Sequence, residues 1–177
     1  FGLPTLPAPW AIWHSNSFSA TNSGFGDALA VGDYDGDGYG DVAIGAPEYS
    51  YITSTRGAVW ICWGGPSGPQ VTSCTQARTG TQVGELLGSE LVTLPDADGD
   101  GDDELLIGAP GWSGALNREG RVILLEGGAR GSFGATIQWS VTGGQAGVPG
   151  LGQAHTMAAA GDVNGDSLGD VLLGAPL

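Results

Sequence analysis

Asp33, Asp35, Asp37 and Asp41 fall within nine residues of the stretch GDYDGDGYGDVAIGAP, residues 32–47. Four carboxylates this close repel one another unless a cation sits among them. Side-chain oxygens at positions 1, 3, 5 and 9 of the loop, with the backbone carbonyl of Tyr39 at position 7, make an all-oxygen donor set. Such a set suits Ca²⁺, which takes about six to eight oxygens in flexible geometry, better than Mg²⁺ with its strict octahedron. The loop holds no Cys or His, which argues against zinc and copper. Gly36 and Gly38 allow the sharp wrapping that turns alternate side chains inward. Two other chemistries compete. A carboxylate pair for glycoside hydrolysis needs one acid in an apolar pocket, whereas these residues are flanked by Gly and by each other. A solvated Asx turn before a strand needs no ligand at all.

The loop recurs. DADGDGDDELLIGAP (96–110) and DVNGDSLGDVLLGAP (162–176) align with DYDGDGYGDVAIGAP (33–47), at offsets of 63 and 66 residues counted from Asp33 to Asp96 to Asp162. The second loop offers Asp96, Asp98, Asp100 and Glu104 with the Asp102 carbonyl, Glu104 reaching in on a longer stem. The third offers Asp162, Asn164, Asp166 and Asp170 with the Leu168 carbonyl. With Asn for one carboxylate and Ser167 in place of Gly, the third is expected to bind most weakly. Position 12 is Ile44, Ile107 or Leu173, each followed by Gly-Ala-Pro, so an EF-hand, which needs Glu there, is excluded. Three copies in register weigh against a plain turn, and equally against a unique catalytic centre.

The elements that position these loops read as short strands. Each acidic loop runs into an apolar stretch bounded by breakers, DVAIGAP or ELLIGAP, as expected of strands buried on both faces. Upstream lie GFGDALAVG (24–32), LLGSELVTLP (86–95) and GLGQAHTMAAAG (150–161); downstream lie GAVWICWGG (57–65) and GRVILLEGG (120–128). Further on come VTSCTQA (71–77) and TIQWSV (136–141), with PWAIWHS (9–15) as a possible third copy. These make eleven candidate strands, four to a unit, and a period near 60 residues fits a propeller blade better than a solenoid coil.

Phe25-Gly26, the D-x-D-G-D-G-x-x-D loop and Gly-Ala-Pro together resemble the FG-GAP repeat of integrin α-subunit β-propellers and bacterial relatives. The resemblance runs over essentially the whole chain, with Leu87 and Leu151 standing where the first copy has Phe. It implies an all-β fold of four-stranded antiparallel propeller blades, with adhesion as the associated role. Three repeats, near 1–64, 65–127 and 128–177, form one partial propeller. Closed rings have about four to eight blades, so association with further blades or a second copy is expected to complete it.

Composition narrows the function classes. Of 19 acidic residues, 13 lie in the windows 33–41, 96–104 and 162–170; the other 6 face 5 Arg and no Lys. A net charge of −14 without a basic patch excludes nucleic acid and anionic membrane surfaces as natural partners. No apolar run is long enough to span a bilayer. Beginning at Phe1 with no Met and no leader pattern, the chain reads as a mature or excised form. Cys62 and Cys74 flank GGPSGP in an apparent hairpin, where a cross-strand disulfide is sterically open and two buried thiols are the alternative. His14 and His155 sit in unrelated contexts and support no nucleophilic triad. Of the six Trp, those at 10, 13, 60 and 63 lie at spacing 3 in strand-like segments and read as packing, leaving Trp112 as the best ligand contact. The expected function is therefore a non-enzymatic, extracellular or envelope-associated module holding about three Ca²⁺ and recognising a protein or glycan. A lectin-like propeller and a propeller segment of a larger secreted hydrolase are the alternatives.

Overall fold

The computed structural model describes residues 23–51, 54–69, 72, 74–145 and 150–176; PWAIWHS, with Trp10, Trp13 and His14, lies outside them. Twelve strands and no α-helix occur among the described residues. The first sheet has the order β1 (Ala28–Gly32), β2 (Asp41–Ala46), β5 (Ala58–Cys62), β6 (Cys74–Thr79). The second has β7 (Leu91–Leu94), β8 (Glu104–Ala109), β9 (Arg121–Leu125), β10 (Ile137–Thr142). A third, two-stranded sheet pairs β11 (Met157–Gly161) with β12 (Asp170–Leu173). All pairings are antiparallel, and every acidic loop is the connection between the first two strands of its sheet. A small hairpin, β3 (Ser50–Tyr51) with β4 (Ser54–Thr55), rides on the β2–β5 connection; no sequence pattern announced it.

Burial follows the strand order. β8 is buried at all six positions and β2 at five of six, as apolar runs between breakers require. The outer strands β6 and β10 are half-solvated. The main core lies between the first two sheets and includes Ala43, Val59, Ile61, Leu105, Ile107 and Leu125. The other face of the second sheet packs Leu94, Leu106 and Val122 against Leu151 and Met157 of the third repeat. The first strands of the three sheets, β1, β7 and β11, adjoin in that order. Cys62 and Cys74 are register partners on β5 and β6 and are disulfide-bonded.

The glycines of the repeated motifs have a packing reason. A Cβ on Gly45 of the first Gly-Ala-Pro would lie 2.2 Å from the carbonyl oxygen of Gly88, and one on Gly108 of the second 2.2 Å from that of Gly152. Consecutive repeats interlock backbone to backbone at these points, and any side chain would force the sheets apart.

Candidate metal centre

The three acidic loops share one hydrogen-bond plan. The position-9 carboxylate accepts the N–H of position 2: Tyr34 to Asp41 at 2.9 Å, Ala97 to Glu104 at 2.6 Å, Val163 to Asp170 at 2.9 Å. The position-5 carboxylate accepts the N–H of position 7: Tyr39 to Asp37, Asp102 to Asp100 and Leu168 to Asp166, each at 2.9 Å. The position-1 carboxylate gathers N–H groups from positions 5 or 6, as Gly38 does to Asp33 at 2.8 Å, Gly101 to Asp96 at 2.8 Å and Ser167 to Asp162 at 2.8 Å. Alternation of Asp and Gly folds the loop through Asx turns. The turn geometry that competed with a metal site in the sequence is thus present, and it is what draws the carboxylates together.

Asp33, Asp35 and Asp41 present oxygens within 4.8 Å of one another, as do Asp96, Asp98 and Asp100. Asp37 instead pairs with Arg130, whose guanidinium also holds Asp35. Glu104 stands outside the second trio: its Oε2 caps Ala97, and its Oε1 is buried without a hydrogen-bond partner. In the third loop the carboxylates form no such group, and its hydrogen bonds come from its own residues. Tyr39 and Leu168 keep exposed side chains, so in the first and third loops position 7 offers only backbone.

The first loop is covered by the next repeat. Arg130, in the β9–β10 connection, also donates to the Gly64 carbonyl at 3.3 Å and lies 5.6 Å from the Trp63 ring centroid. Gly64 N–H donates to Asp41 Oδ1 at 2.6 Å, and Gly128 N–H to the Tyr34 carbonyl at 2.8 Å. Tyr34 is fully buried, its hydroxyl 2.6 Å from that of Thr93, and Phe133 packs on its ring at 5.5 Å. Asp103 ties the first two loops together, accepting from Asp33 N–H at 2.8 Å and Asp96 N–H at 3.2 Å. The sequence reading passed over Asp103, Arg130 and Tyr34. Asp103 sits off the alternate-residue pattern; the only signal near Arg130 was the recurring Gly-Gly after the third strand, at 64–65 and 127–128.

Burial sets the electrostatics. It pushes the Asp41 carboxyl up to about 6, opposed by the N–H donors of Gly64 and Tyr34. It pushes Glu104 up to about 7, opposed by Ala97 N–H. Asp102 is raised too, by partial burial and then by Asp100, Asp33, Asp35 and Asp98. Burial also raises the Tyr34 phenol. Asp162 goes the other way: the N–H groups of its turn, Ser167 first, lower it. Buried carboxylates held against their preference, an all-oxygen donor set, and the unpartnered buried oxygens Asp35 Oδ1 and Glu104 Oε1 all suit a hard cation.

The other features singled out in the sequence lie apart from the loops. His155 is exposed in the turn before β11, not within a strand, with φ of 66°. Trp60 and Trp63 are buried as expected of packing residues. Trp112 is half-buried, packs on the main core, and carries Arg121 5.1 Å from its ring centroid. The exposed tryptophan among the described residues is Trp139.

Fold and site define an all-β repeat module in which three sheets each present one nine-residue acidic loop. Residues 25–62 and 87–125 match the FG-GAP repeat model, and the chain belongs to the FG-GAP repeat family. Integrin alpha-PS2 of Drosophila melanogaster is 35% identical over 180 residues, covering 97% of this chain and 12% of its own length. Integrin alpha-IIb of Mus musculus is 34% identical over 113 residues, 60% of this chain and 11% of its own. Phosphatidylinositol-glycan-specific phospholipase D of Bos taurus is 32% identical over 182 residues, 98% of this chain and 21% of its own. The chain thus spans only 11% to 21% of the length of these relatives.

Proposed function

We propose that this chain is a non-enzymatic, Ca²⁺-stabilised segment of a β-propeller that presents its loops for recognition of an extracellular protein or glycan. The observation that carries the reading is the repeated loop in which trios of carboxylates converge while buried oxygens, Asp35 Oδ1 and Glu104 Oε1, lack partners. Asp33, Asp35 and Asp41 would hold one ion and Asp96, Asp98 and Asp100 another. Asp37, Glu104 and the position-7 carbonyls of Tyr39 and Asp102 would join as the loops tighten. Asp162, Asn164, Asp166 and Asp170, with the Leu168 carbonyl, would hold a third ion most weakly. Three ions bring six positive charges to a chain of net charge −14, leaving −8. They stabilise the folded state by binding it and not the unfolded chain.

Absence of an enzymatic role is supported by the relatives themselves. The same segment aligns with an integrin alpha subunit and with a phospholipase D, which supports reading it as a module shared between otherwise different proteins. The disulfide fits an oxidising compartment. Each flank of the described sheets leaves apolar side chains in solvent, Leu29 and Val31 on β1 and Leu172 on β12. That supports completion of the ring by association with further blades or a second copy.

A lectin-like reading has one observation in its favour. Exposed Trp139 lines a cleft of about 250 Å³ with Gln138, Asp98 and Asp166, a ring beside hydrogen-bonding groups. Equilibrium dialysis against ⁴⁵Ca²⁺ tests the leading reading: about three ions should bind, and none should bind when Asp33, Asp96 and Asp162 are replaced by Ala. Absence of binding by the parent would refute it. Quenching of tryptophan fluorescence by a glycan, abolished in Trp139→Ala, would favour the lectin alternative.

A further inference from the structure

Asn164 is followed by Gly165, in an exposed turn, at the position where the two sister loops carry Asp35 and Asp98. An asparagine side-chain amide is open to attack by the next residue's backbone nitrogen, most readily when that residue has no Cβ. Around Gly165, the space an added Cβ would occupy holds no atom within 4 Å. The hydrogen bonds are placed to assist. Gly165 N–H donates to Asp162 Oδ1 at 2.6 Å, so a carboxylate stands where the amide proton must go. Asp166 N–H donates to Asn164 Oδ1 at 2.8 Å and polarises the carbonyl under attack. The departing Nδ2 is held by Asp166 Oδ2 at 3.0 Å.

We infer that Asn164 is a self-modification site, converting in the folded chain to the aspartate that completes the third acidic loop. Gly165 nitrogen bonds to Asn164 Cγ and loses its proton by way of Asp162. The proton taken from Gly165 is passed on through solvent to Nδ2, the Cγ–Nδ2 bond breaks and ammonia leaves, giving a five-membered succinimide. Water then opens the ring. Cleavage of the new N–Cγ bond restores the main chain with an Asp side chain; cleavage at the main-chain carbonyl gives isoaspartate. The net change is Asn plus water to Asp plus ammonia. The sister loops show that the first product fits: Asp98 Oδ1 accepts Asp100 N–H at 3.3 Å, the counterpart of the Asp166-to-Asn164 bond. Conversion also replaces the amide donor facing Asp166 with a second carboxylate. That contact is repulsive alone and favourable around a cation, so conversion and metal binding reinforce each other. This last consequence rests on the Ca²⁺ reading above; the modification does not.

Prolonged incubation of the folded chain at neutral pH and 37 °C in chelator, followed by peptide mass spectrometry and isoaspartate methylation, tests the site. A gain of about one mass unit at Asn164 is expected, with Asp exceeding isoaspartate and with no change at Asn164→Gln. An Asn164 that stays intact in the folded chain, while the urea-unfolded chain converts, would overturn the inference. So would isoaspartate as the main product. A separate calcium titration compares parent with Asn164→Asp, which should bind the weakest ion about tenfold more tightly. Equal affinity would overturn the link to the metal while leaving the mass result standing. Loss of all calcium binding in the parent would instead strike the Ca²⁺ reading.

Discussion

The first and third acidic loops share four local hydrogen bonds and have opposite surroundings. In the first, Asp41 is fully buried and the Asp35 side chain is only 5% exposed, held by Gly64 and Arg130 respectively. In the third, residues 162–168 are all exposed and every hydrogen bond stays inside the loop. Asx turns are written into nine residues and form wherever those residues occur. The electrostatic cost of the turn is set elsewhere, by how deeply the next repeat buries it. Buried loops therefore need a counter-charge more than exposed ones, and the first already has a partial one in Arg130.

Removing the position-9 carboxylate breaks this comparison most sharply. Asp41→Ala strands two buried N–H donors, Tyr34 and Gly64, and should cost about 3 kcal/mol in chelator, at roughly 1–3 kcal/mol per orphaned group. Asp170→Ala frees only the solvent-exposed Val163 N–H and should cost less than about 1 kcal/mol. Urea unfolding of both variants measures the gap; equal losses would show that the surroundings do not matter.

Arg130→Ala comes next. Without the guanidinium, Asp35 and Asp37 face each other uncompensated, so the chelated variant should melt a few degrees below the parent. Saturating calcium should close that gap, since the ion replaces the lost charge. Persistence of the full deficit in calcium would assign Arg130 a packing role against Trp63.

Legibility of these contacts in the sequence divides along the same line. Strand positions and loop turns were readable because Gly, Pro and Asp punctuate the chain locally, and ten of the eleven candidate strands lie where the sheets have them; 9–15 lies outside the described residues. The β3–β4 hairpin was not readable, being two residues per strand without alternation. Arg130 reaches Asp35 across 95 residues and Asp103 reaches Asp33 across 70. Such pairings have no local period. For the same reason the sequence placed Asp37 and Glu104 among equivalent ligands, whereas Arg130 pairs with one and the other caps Ala97 N–H, as position 9 caps position 2 in every loop.

A pH series separates metal-free from metal-bound behaviour. Asp41, about 6, and Glu104, about 7, both lie above the ordinary carboxylate range in the folded state. A raised folded value means that the folded chain holds the proton more tightly. In chelator, stability should therefore rise as pH falls from about 8 toward 5, and be lost as pH climbs through 6 to 7. Saturating calcium should flatten or reverse this slope, because the ion requires the ionised forms. Parallel pH profiles of melting temperature with and without calcium would contradict the assignment of these carboxylates to a cation.

The smallest effect concerns the third loop alone. Ser167 holds φ of 71° where Gly38 and Gly101 hold 83° and 99°. Ser167→Gly should relieve about 1 kcal/mol of left-handed backbone strain, read as a slightly higher urea midpoint; an unchanged or lower midpoint would show the serine to be unstrained.

Thermal unfolding with and without EDTA at low ionic strength tests the central claim most directly. Calcium at about a thousandfold its dissociation constant adds about 4 kcal/mol, so chelation should lower the melting temperature by about 10 °C. An identical melt in EDTA and in excess calcium would contradict the reading of the acidic loops as cation clips.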